Sequence, residues 1–161
     1  MLNRTGVPSK EQIRTNFPDQ ASLQKPKAII ECFEDIPCNP CETSCPFKAI
    51  SIGTDINCQP TLNSELCTGC GICVYNCPGL AIVVAQIIAE SARFKIPYEF
   101  LPVPVEGEIW HGLNRSGDII CEALIVKVQQ TKKQDKTILV TVDVDKKHIY
   151  DFITIRCQYE R

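Results

Sequence analysis

The last third of the chain consists of long apolar runs rich in β-branched residues, separated by short polar stretches. The runs span residues 119–128, 138–144 and 149–155. β-branched residues favour strands, and polar connections such as 129–136 are of hairpin or loop length. Pro97, Pro102 and Pro104 gather before these runs and indicate a boundary near residue 91. The pattern predicts a small antiparallel β-barrel over residues 91–161.

Three shorter apolar runs precede this boundary, and each lies next to a cysteine. Residues 28–30 lead into Cys32, whereas residues 49–52 and 81–84 each follow a Cys-Pro dipeptide closely. Runs of this length are consistent with strands, and short helical turns are expected beside the cysteines. Residues 27–90 are therefore predicted to form one domain made of two similar halves.

The N-terminal residues 1–26 are polar and are interrupted by three prolines. Ser9 and Gln12 have the spacing of a capping box, which predicts one short helix. A helix of one or two turns is marginal unless it packs against something, so a disordered tail is the alternative. The segment is interpreted as a docking arm.

The composition is that of a folded protein with reduced cysteines. The chain has 161 residues, of which 44% are hydrophobic, and it has 11 cysteines. The N-terminus lacks the apolar run of a signal peptide, so a cytoplasmic location is expected, where clustered thiols bind metal more often than they form disulfides. The longest apolar stretch, 79–89, is too short to span a bilayer.

One cysteine run carries the strongest chemical signal. Three cysteines at two-residue gaps, then a fourth three residues further on and followed by proline, form the ligand run that holds an iron–sulfur cluster. Zinc also favours Cys-x2-Cys pairs, but structural zinc sites close on four ligands from two separated knuckles. The run consists of Cys67, Cys70, Cys73 and Cys77, followed by Pro78.

The latter half of this pattern occurs twice. Its Cys-Pro dipeptides begin at Cys45 and Cys77, 32 residues apart, and Ala-Ile follows each at the same offset. Cys38 and Cys41 precede the first dipeptide at the gaps found before the second. The repetition predicts two clusters. Each would add about two negative charges to the formal net charge of −2, which argues against a nucleic-acid partner.

Residues 27 to about 85 resemble the bacterial ferredoxins that carry two 4Fe–4S clusters. The resemblance implies an α+β, ferredoxin-like dicluster fold with a βαββαβ duplication, in which the cysteine before proline ligates the other cluster. On this basis, cluster one is held by Cys67, Cys70, Cys73 and Cys45. Cluster two is held by Cys38, Cys41, Cys77 and one further cysteine.

This eighth ligand is either Cys32 or Cys58. Cys32 is the natural candidate because it precedes Cys38, in the place where the second run has its first cysteine. Five residues separate this pair, so the insertion 33–37 would have to bulge outward. Cys58 is the rival.

Other parts of the chain resemble the small ferredoxin-like subunits of multisubunit, flavin-dependent amino-acid dehydrogenases of the proline, hydroxyproline and opine types. The resemblance implies that partner subunits carry FAD or FMN. This chain would then pass electrons between flavin sites or to an acceptor, with its arm and barrel as docking surfaces. The residues that carry it are 4–8, 30–41, 98–102 and 137–142.

Two other interpretations remain open, namely a freely diffusing two-cluster ferredoxin and an assembly or regulatory protein. No catalytic residue is predicted, because the chain has only His111 and His148 and no nucleophile–base pattern or Gly-rich nucleotide loop. His111 is interpreted as a turn residue. Cys121 and Cys157, each alone in an apolar run, are expected to be small buried hydrophobes.

Overall fold

The computed structural model of the protein describes Leu2 and residues 4–158. Met1 and Asn3 of the predicted arm, and residues 159–161 of the predicted barrel, lie outside the described residues. Within the described part, no helix is long and apolar enough to cross a membrane.

The described residues form three short α-helices and nine strands. The helices are α1 (Lys10–Asn16), α2 (Pro40–Thr43) and α3 (Ile72–Asn76). The strands are β1 (Lys27–Ile30), β2 (Ile50–Ser51), β3 (Thr61–Leu62), β4 (Ile82–Ile88), β5 (Ser91–Tyr98), β6 (Ile109–Leu113), β7 (Ile119–Gln129), β8 (Ile138–Asp145) and β9 (Thr154–Arg156). Single 3-10 turns cover Ser22–Gln24, Lys132–Gln134 and Lys146–His148.

Residues 27–88 contain two β–α–β units in succession, β1–α2–β2 and β3–α3–β4. Strands β1 and β4 pair antiparallel, with Ile29 opposite Val83, and β2 and β3 pair antiparallel, with Ile50 opposite Leu62. The element order is that of the predicted duplication. The dicluster fold itself stays a prediction.

Seven strands form one antiparallel sheet in the order β1-β4-β5-β8-β7-β6-β9. Strands β4 and β5 form a hairpin across residue 90, so the predicted segments 27–90 and 91–161 share this sheet. In this second segment, the sequence predicts three strands, at 119–128, 138–144 and 149–155, of which the first two correspond to β7 and β8. The division into domains and the closed barrel stay predictions.

Strand β5 lies inside the sheet, between β4 and β8, whereas the sequence pattern predicts only a boundary there. Its side chains alternate, with Ala92, Phe94, Ile96 and Tyr98 buried. The period-two pattern is present in the sequence, but proline is rare in central strands, and Pro97 lies opposite Leu139 here. The strand was missed because this proline hid the alternation.

Two further predictions for residues 91–161 need correction. His111 is in strand β6, opposite Glu122, and not in a turn. The apolar run 149–155 forms a strand only at Thr154–Arg156, because the chain turns at Lys146–His148 just before it. Phe152 of that run is fully buried in the main core and packs against Phe94, with ring centroids 4.8 Å apart.

The N-terminal arm packs against the main core. The predicted capping box is confirmed, because the Ser9 hydroxyl accepts a hydrogen bond from the Gln12 N–H and the Gln12 side chain accepts one from the Ser9 N–H. Ile13 and Phe17 are buried, and the Phe17 ring meets Tyr150 edge-on at 5.0 Å. Tertiary packing thus stabilises a helix that would be marginal alone.

A buried ion pair joins the β6–β7 loop to the end of β1. The Arg115 Nε donates to Glu31 Oε2 at 2.7 Å, and a second guanidinium nitrogen bonds the other carboxylate oxygen. Both side chains are less than one-tenth exposed, and Arg115 also donates to the Tyr150 carbonyl. Since Glu31 directly precedes Cys32, this pair fixes the chain where it enters the cysteine-rich region.

Replacement of Arg115 by Met should leave the Glu31 carboxylate buried without its partner. Breaking a buried pair in this way costs about 3–5 kcal/mol, which corresponds to a fall of roughly 10 °C in the midpoint of thermal unfolding. The control is Arg93→Met, because the Arg93–Asp143 pair is 36% and 21% exposed and should contribute under about 1 kcal/mol. Equal shifts in the two variants, measured by circular dichroism, would contradict the role of the Arg115 pair.

Candidate metal centre

The eight cysteines predicted as ligands lie in two groups of four, and each group lines a largely apolar cavity. Each group contains cysteines from both halves of the duplication. Cavity one is lined by Cys45, Cys67, Cys70 and Cys73. Cavity two is lined by Cys32, Cys38, Cys41 and Cys77, together with Cys58.

The two Cys-Pro dipeptides open turns of the same geometry, one at each cavity. The carbonyl of Cys45 accepts a hydrogen bond from the N–H three residues on, at 3.2 Å, and the carbonyl of Cys77 does so at 3.1 Å. The donors, Lys48 and Leu80, both have a left-handed φ of 51°. Proline suits the second position of such turns because its φ is already set.

Each turn brings a backbone N–H to its own cysteine sulfur. The Ala49 N–H donates to Cys45 Sγ at 3.3 Å, and the Ala81 N–H donates to Cys77 Sγ at 3.4 Å. Hydrogen bonds to sulfur favour the thiolate and adjust the electronics of a bound metal. The repeated Cys-Pro-x-x-Ala segments therefore have one local function, to present an oriented sulfur at a cavity.

The loop through Cys67 and Cys70 requires glycine at two positions. Gly69 and Gly71 have φ values of +65° and +90°. A Cβ on Gly69 would lie 2.5 Å from the Pro26 Cβ, and one on Gly71 would lie 2.9 Å from a Leu139 methyl group. Only glycine lets the loop take this conformation so close to its neighbours.

Two lysines, which the sequence analysis did not single out, hold this loop from outside. The Lys27 ammonium donates to the carbonyls of Ser64 and Cys67, both at 2.7 Å. The Lys95 ammonium donates to the Gly69 carbonyl, also at 2.7 Å. Both lysines come from strands of the large sheet, far from the loop in sequence, so cysteine spacing gives no sign of them.

The thiols of cavity one affect one another's pKa electrostatically. Burial raises the pKa of the Cys73 thiol to about 12, and the negative charges of Cys67, Cys70 and Cys45 add to this effect. Four cysteines cannot all be ionised in cavity one unless cations compensate their negative charge. Metal ions supply that charge and deprotonate the thiols they bind.

Burial and neighbouring charges also raise thiol pKa values in cavity two. Burial raises the pKa of the Cys41 thiol to about 11, against a smaller opposing effect from the Glu42 N–H, and the charges of Cys77 and Cys38 raise it further. Burial also raises the pKa of Cys32, and again Cys77 and Cys38 contribute. The Cys32 thiol therefore interacts electrostatically with other cysteines of cavity two.

Cys58 lines cavity two as well, but its side chain is exposed. The arrangement favours Cys32, whose partly buried thiol is influenced by Cys77 and Cys38. The identity of the eighth ligand stays a prediction.

The donor set fits iron–sulfur clusters. Among the described residues, no three His, Cys, Asp or Glu side chains have the geometry for holding a single metal ion. A cubane cluster is larger than one ion, so its thiolates surround a cavity instead of converging on a point. Four soft sulfur ligands around each apolar cavity are what such a cluster requires.

Cys121 and Cys157 line neither cavity. Cys121 lies on β7, next to Gly112, where a Cβ would come within 2.5 Å of its sulfur. Burial raises the pKa of the Cys121 thiol to about 11, which keeps it protonated and unreactive at neutral pH.

Comparisons with known proteins find one family and several relatives that match part of the chain. A family of 4Fe–4S binding domains matches residues 60–83. The ferredoxin-type protein NapF of Escherichia coli K12 is 37% identical over 60 residues, which cover 36% of this chain and 37% of that protein. NapF of Haemophilus influenzae is 39% identical over 54 residues, covering 32% of this chain and 31% of that protein.

The chain thus spans little more than a third of the length of the curated relatives it matches. No solved structure matches the chain. The family match confirms the predicted 4Fe–4S character of the run that begins at Cys67, whereas the number of clusters stays a prediction.

Replacement of Cys32 by Ala should remove or convert the cluster predicted at cavity two, because it takes away one of four thiolates. Iron per chain should fall by about half when measured after anaerobic purification. Cys58→Ala is the matched control and should leave iron content unchanged. The opposite result for the two variants would assign the eighth ligand to Cys58.

Replacement of Gly69 by Ala should disrupt cavity one, because the new Cβ meets the Pro26 backbone and a left-handed φ costs roughly 1–2 kcal/mol for other residues. The expected outcome is loss of about half of the bound iron. Gly79→Ala serves as the control, since a Cβ there would have no neighbour within 4 Å. Full iron content in the Gly69 variant would show that the loop tolerates a side chain.

Proposed function

We propose that the chain is a non-catalytic electron-transfer protein with two 4Fe–4S clusters, because residues 60–83 match a family of 4Fe–4S binding domains and the relatives are named ferredoxin-type proteins. The observation that carries the proposal is the pair of cavities, each lined by at least four cysteines, one of which in each cavity precedes proline in a Cys-Pro turn of the same geometry. A single-cluster protein would have no need of the second set.

In this proposal, Cys67, Cys70, Cys73 and Cys45 hold one cluster, and Cys32, Cys38, Cys41 and Cys77 hold the other. A 4Fe–4S cluster supplies one-electron redox chemistry when bound. The protein's part is to fix sulfur positions and keep water out. Cys45 and Cys77 each project from one half into the other half's group, so they set the separation of the two sites.

The backbone ties the halves together at these same places. The Ala49 carbonyl accepts a hydrogen bond from the Asn63 N–H at 2.8 Å, and the Ala81 carbonyl accepts one from the Glu31 N–H at 2.7 Å. These bonds hold the residues that donate to the Cys45 and Cys77 sulfurs. A rigid framework changes little with redox state, which favours rapid electron transfer.

We further propose that the chain is a subunit of a larger oxidoreductase. Its described surface exposes Phe100 by 69%, Leu101 by 86% and Val105 by 52%, in the loop between β5 and β6. Ile109 and Leu124, opposite each other on β6 and β7, are also exposed. Several large apolar side chains near one another on a surface indicate a protein interface.

The proposed parent enzyme is a multisubunit amino-acid dehydrogenase whose flavoprotein subunits carry FAD or FMN. The support is the resemblance of residues 4–8, 30–41, 98–102 and 137–142 to the small subunits of such enzymes. The exposed loop includes residues 99–102 of these, which fits a docking role. A cytoplasmic location is part of the same proposal.

A freely diffusing two-cluster ferredoxin is the second candidate. It is favoured by the relatives, which are named ferredoxin-type proteins. A diffusing carrier needs little beyond its clusters, however, and this chain has a packed arm and five strands after residue 90.

Anaerobic purification should yield a brown protein with about eight iron and eight sulfide per chain, four of each for each cluster. Iron and sulfide analysis tests the cluster content. A protein that contains zinc, or about four iron only, would contradict the two-cluster proposal.

The same preparation tests the subunit proposal, because native mass distinguishes a complex from a free chain. Isolation from the source cell should recover the chain in a larger assembly with bound flavin. A lone species of about 18.0 kDa would favour the diffusing ferredoxin instead.

A further inference from the structure

The two cavities differ in charge. We propose that Lys27 and Lys95 raise the reduction potential at cavity one above that at cavity two, so that electrons pass from cavity two to cavity one. The inference rests on the proposed function, since it needs a cluster at each cavity.

Lys27 places a buried cation beside cavity one. The residue is only 8% exposed, and its ammonium is held by the Ser64 and Cys67 carbonyls. The next residue, Ala28, donates its N–H to the Cys67 sulfur at 3.4 Å. The charge of Lys27 is therefore fixed close to a predicted ligand, with little water to screen it.

Lys95 places a second cation on another side of the same loop. It extends from β5, and its ammonium reaches the Gly69 carbonyl between Cys67 and Cys70. Burial lowers the pKa of Lys95, and the negative charges of Cys70 and Cys67 oppose that shift. The attraction is mutual, so Lys95 stabilises added negative charge at cavity one.

No carboxylate of the described residues neutralises these two lysines. The ion pairs within that part of the chain join Arg93 to Asp143, Arg115 to Glu31 and Lys147 to Asp145. Both lysine ammonium groups instead bond neutral carbonyls. No carboxylate therefore offsets their charge beside cavity one.

These lysine contacts have no counterpart at cavity two. Among the described residues, no Lys or Arg lines either cavity, and the lysine ammonium groups that donate to carbonyls of a cysteine loop are those of Lys27 and Lys95, both at cavity one. Acidic residues flank its cysteines in sequence, with Glu34 and Asp35 before Cys38 and Glu42 directly after Cys41. Arg115 bonds Glu31, the residue before Cys32, but the Glu31 carboxylate neutralises its charge.

Reduction adds one negative charge, and a nearby fixed cation lowers the free energy of the reduced form. Net charge and hydrogen bonding near the sulfurs are among the features that set the potential of such clusters. Transfer between the cavities removes one electron at cavity two and adds one at cavity one, without making or breaking a bond. The charge difference gives that transfer its direction.

The test is a redox titration of the anaerobically purified protein, followed by electron paramagnetic resonance. The wild type should show two one-electron transitions at different potentials. Lys95→Gln keeps a donor for the Gly69 carbonyl but removes the charge. It should lower the higher of the two reduction potentials by roughly 59 mV, which corresponds to about a tenfold fall in the equilibrium constant for reduction. The lower transition should move much less.

Two further variants separate charge from structure. Lys95→Arg retains the cation and should restore the potential of the wild type. Lys132→Met removes an exposed lysine in the 3-10 turn before β8 and should move neither transition. Lys27→Met should shift the same transition as Lys95→Gln, in the same direction.

Other outcomes overturn the inference in distinguishable ways. If Lys95→Gln retains its iron but moves neither transition, or moves only the lower one, the lysines do not set the difference, while the two-cluster proposal stands. If Lys95→Arg behaves like Lys95→Gln, packing and not charge is responsible. A wild-type protein with no reducible cluster overturns the proposed function, and the inference with it.

Discussion

The cost of ionising buried thiols, to which their mutual repulsion adds, is the constraint on which the rest of the structure depends. The pKa of Cys73 rises to about 12 and that of Cys41 to about 11, first through burial and then through the neighbouring cysteines. Such groups are stable together only if cations sit among them. The two β–α–β units, the cross-connected halves and the supporting sheet all keep eight sulfurs gathered in spite of that repulsion.

The large sheet connects the cysteine-rich region to the rest of the chain. Strand β1 leads into the first cysteines and β4 follows the last predicted ligand, while β5 supplies Lys95 to the cysteine loop. The arm covers the other side of the sheet, and the Arg115–Glu31 pair fixes the chain beside Cys32. The residues outside the cysteine-rich region therefore support the candidate centre.

Features with a local cause could be predicted from the sequence, and features formed by distant contacts could not. Cysteine spacing and the repeated Cys-Pro turns are local, and they indicate eight cysteines that line the two cavities. Arg115 and Glu31 are 84 residues apart, and Lys27 and Lys95 act through backbone carbonyls of a loop they do not belong to. Strand β5 was missed because Pro97 masked a period-two pattern.

The central claim is that cysteines from both halves hold two 4Fe–4S clusters. Anomalous diffraction at the iron edge, from crystals grown without oxygen, tests it most directly. The account predicts two compact iron peaks, one within the Cys45, Cys67, Cys70 and Cys73 group and one within the Cys32, Cys38, Cys41 and Cys77 group. A single iron peak, or density for one ion in either cavity, would contradict it.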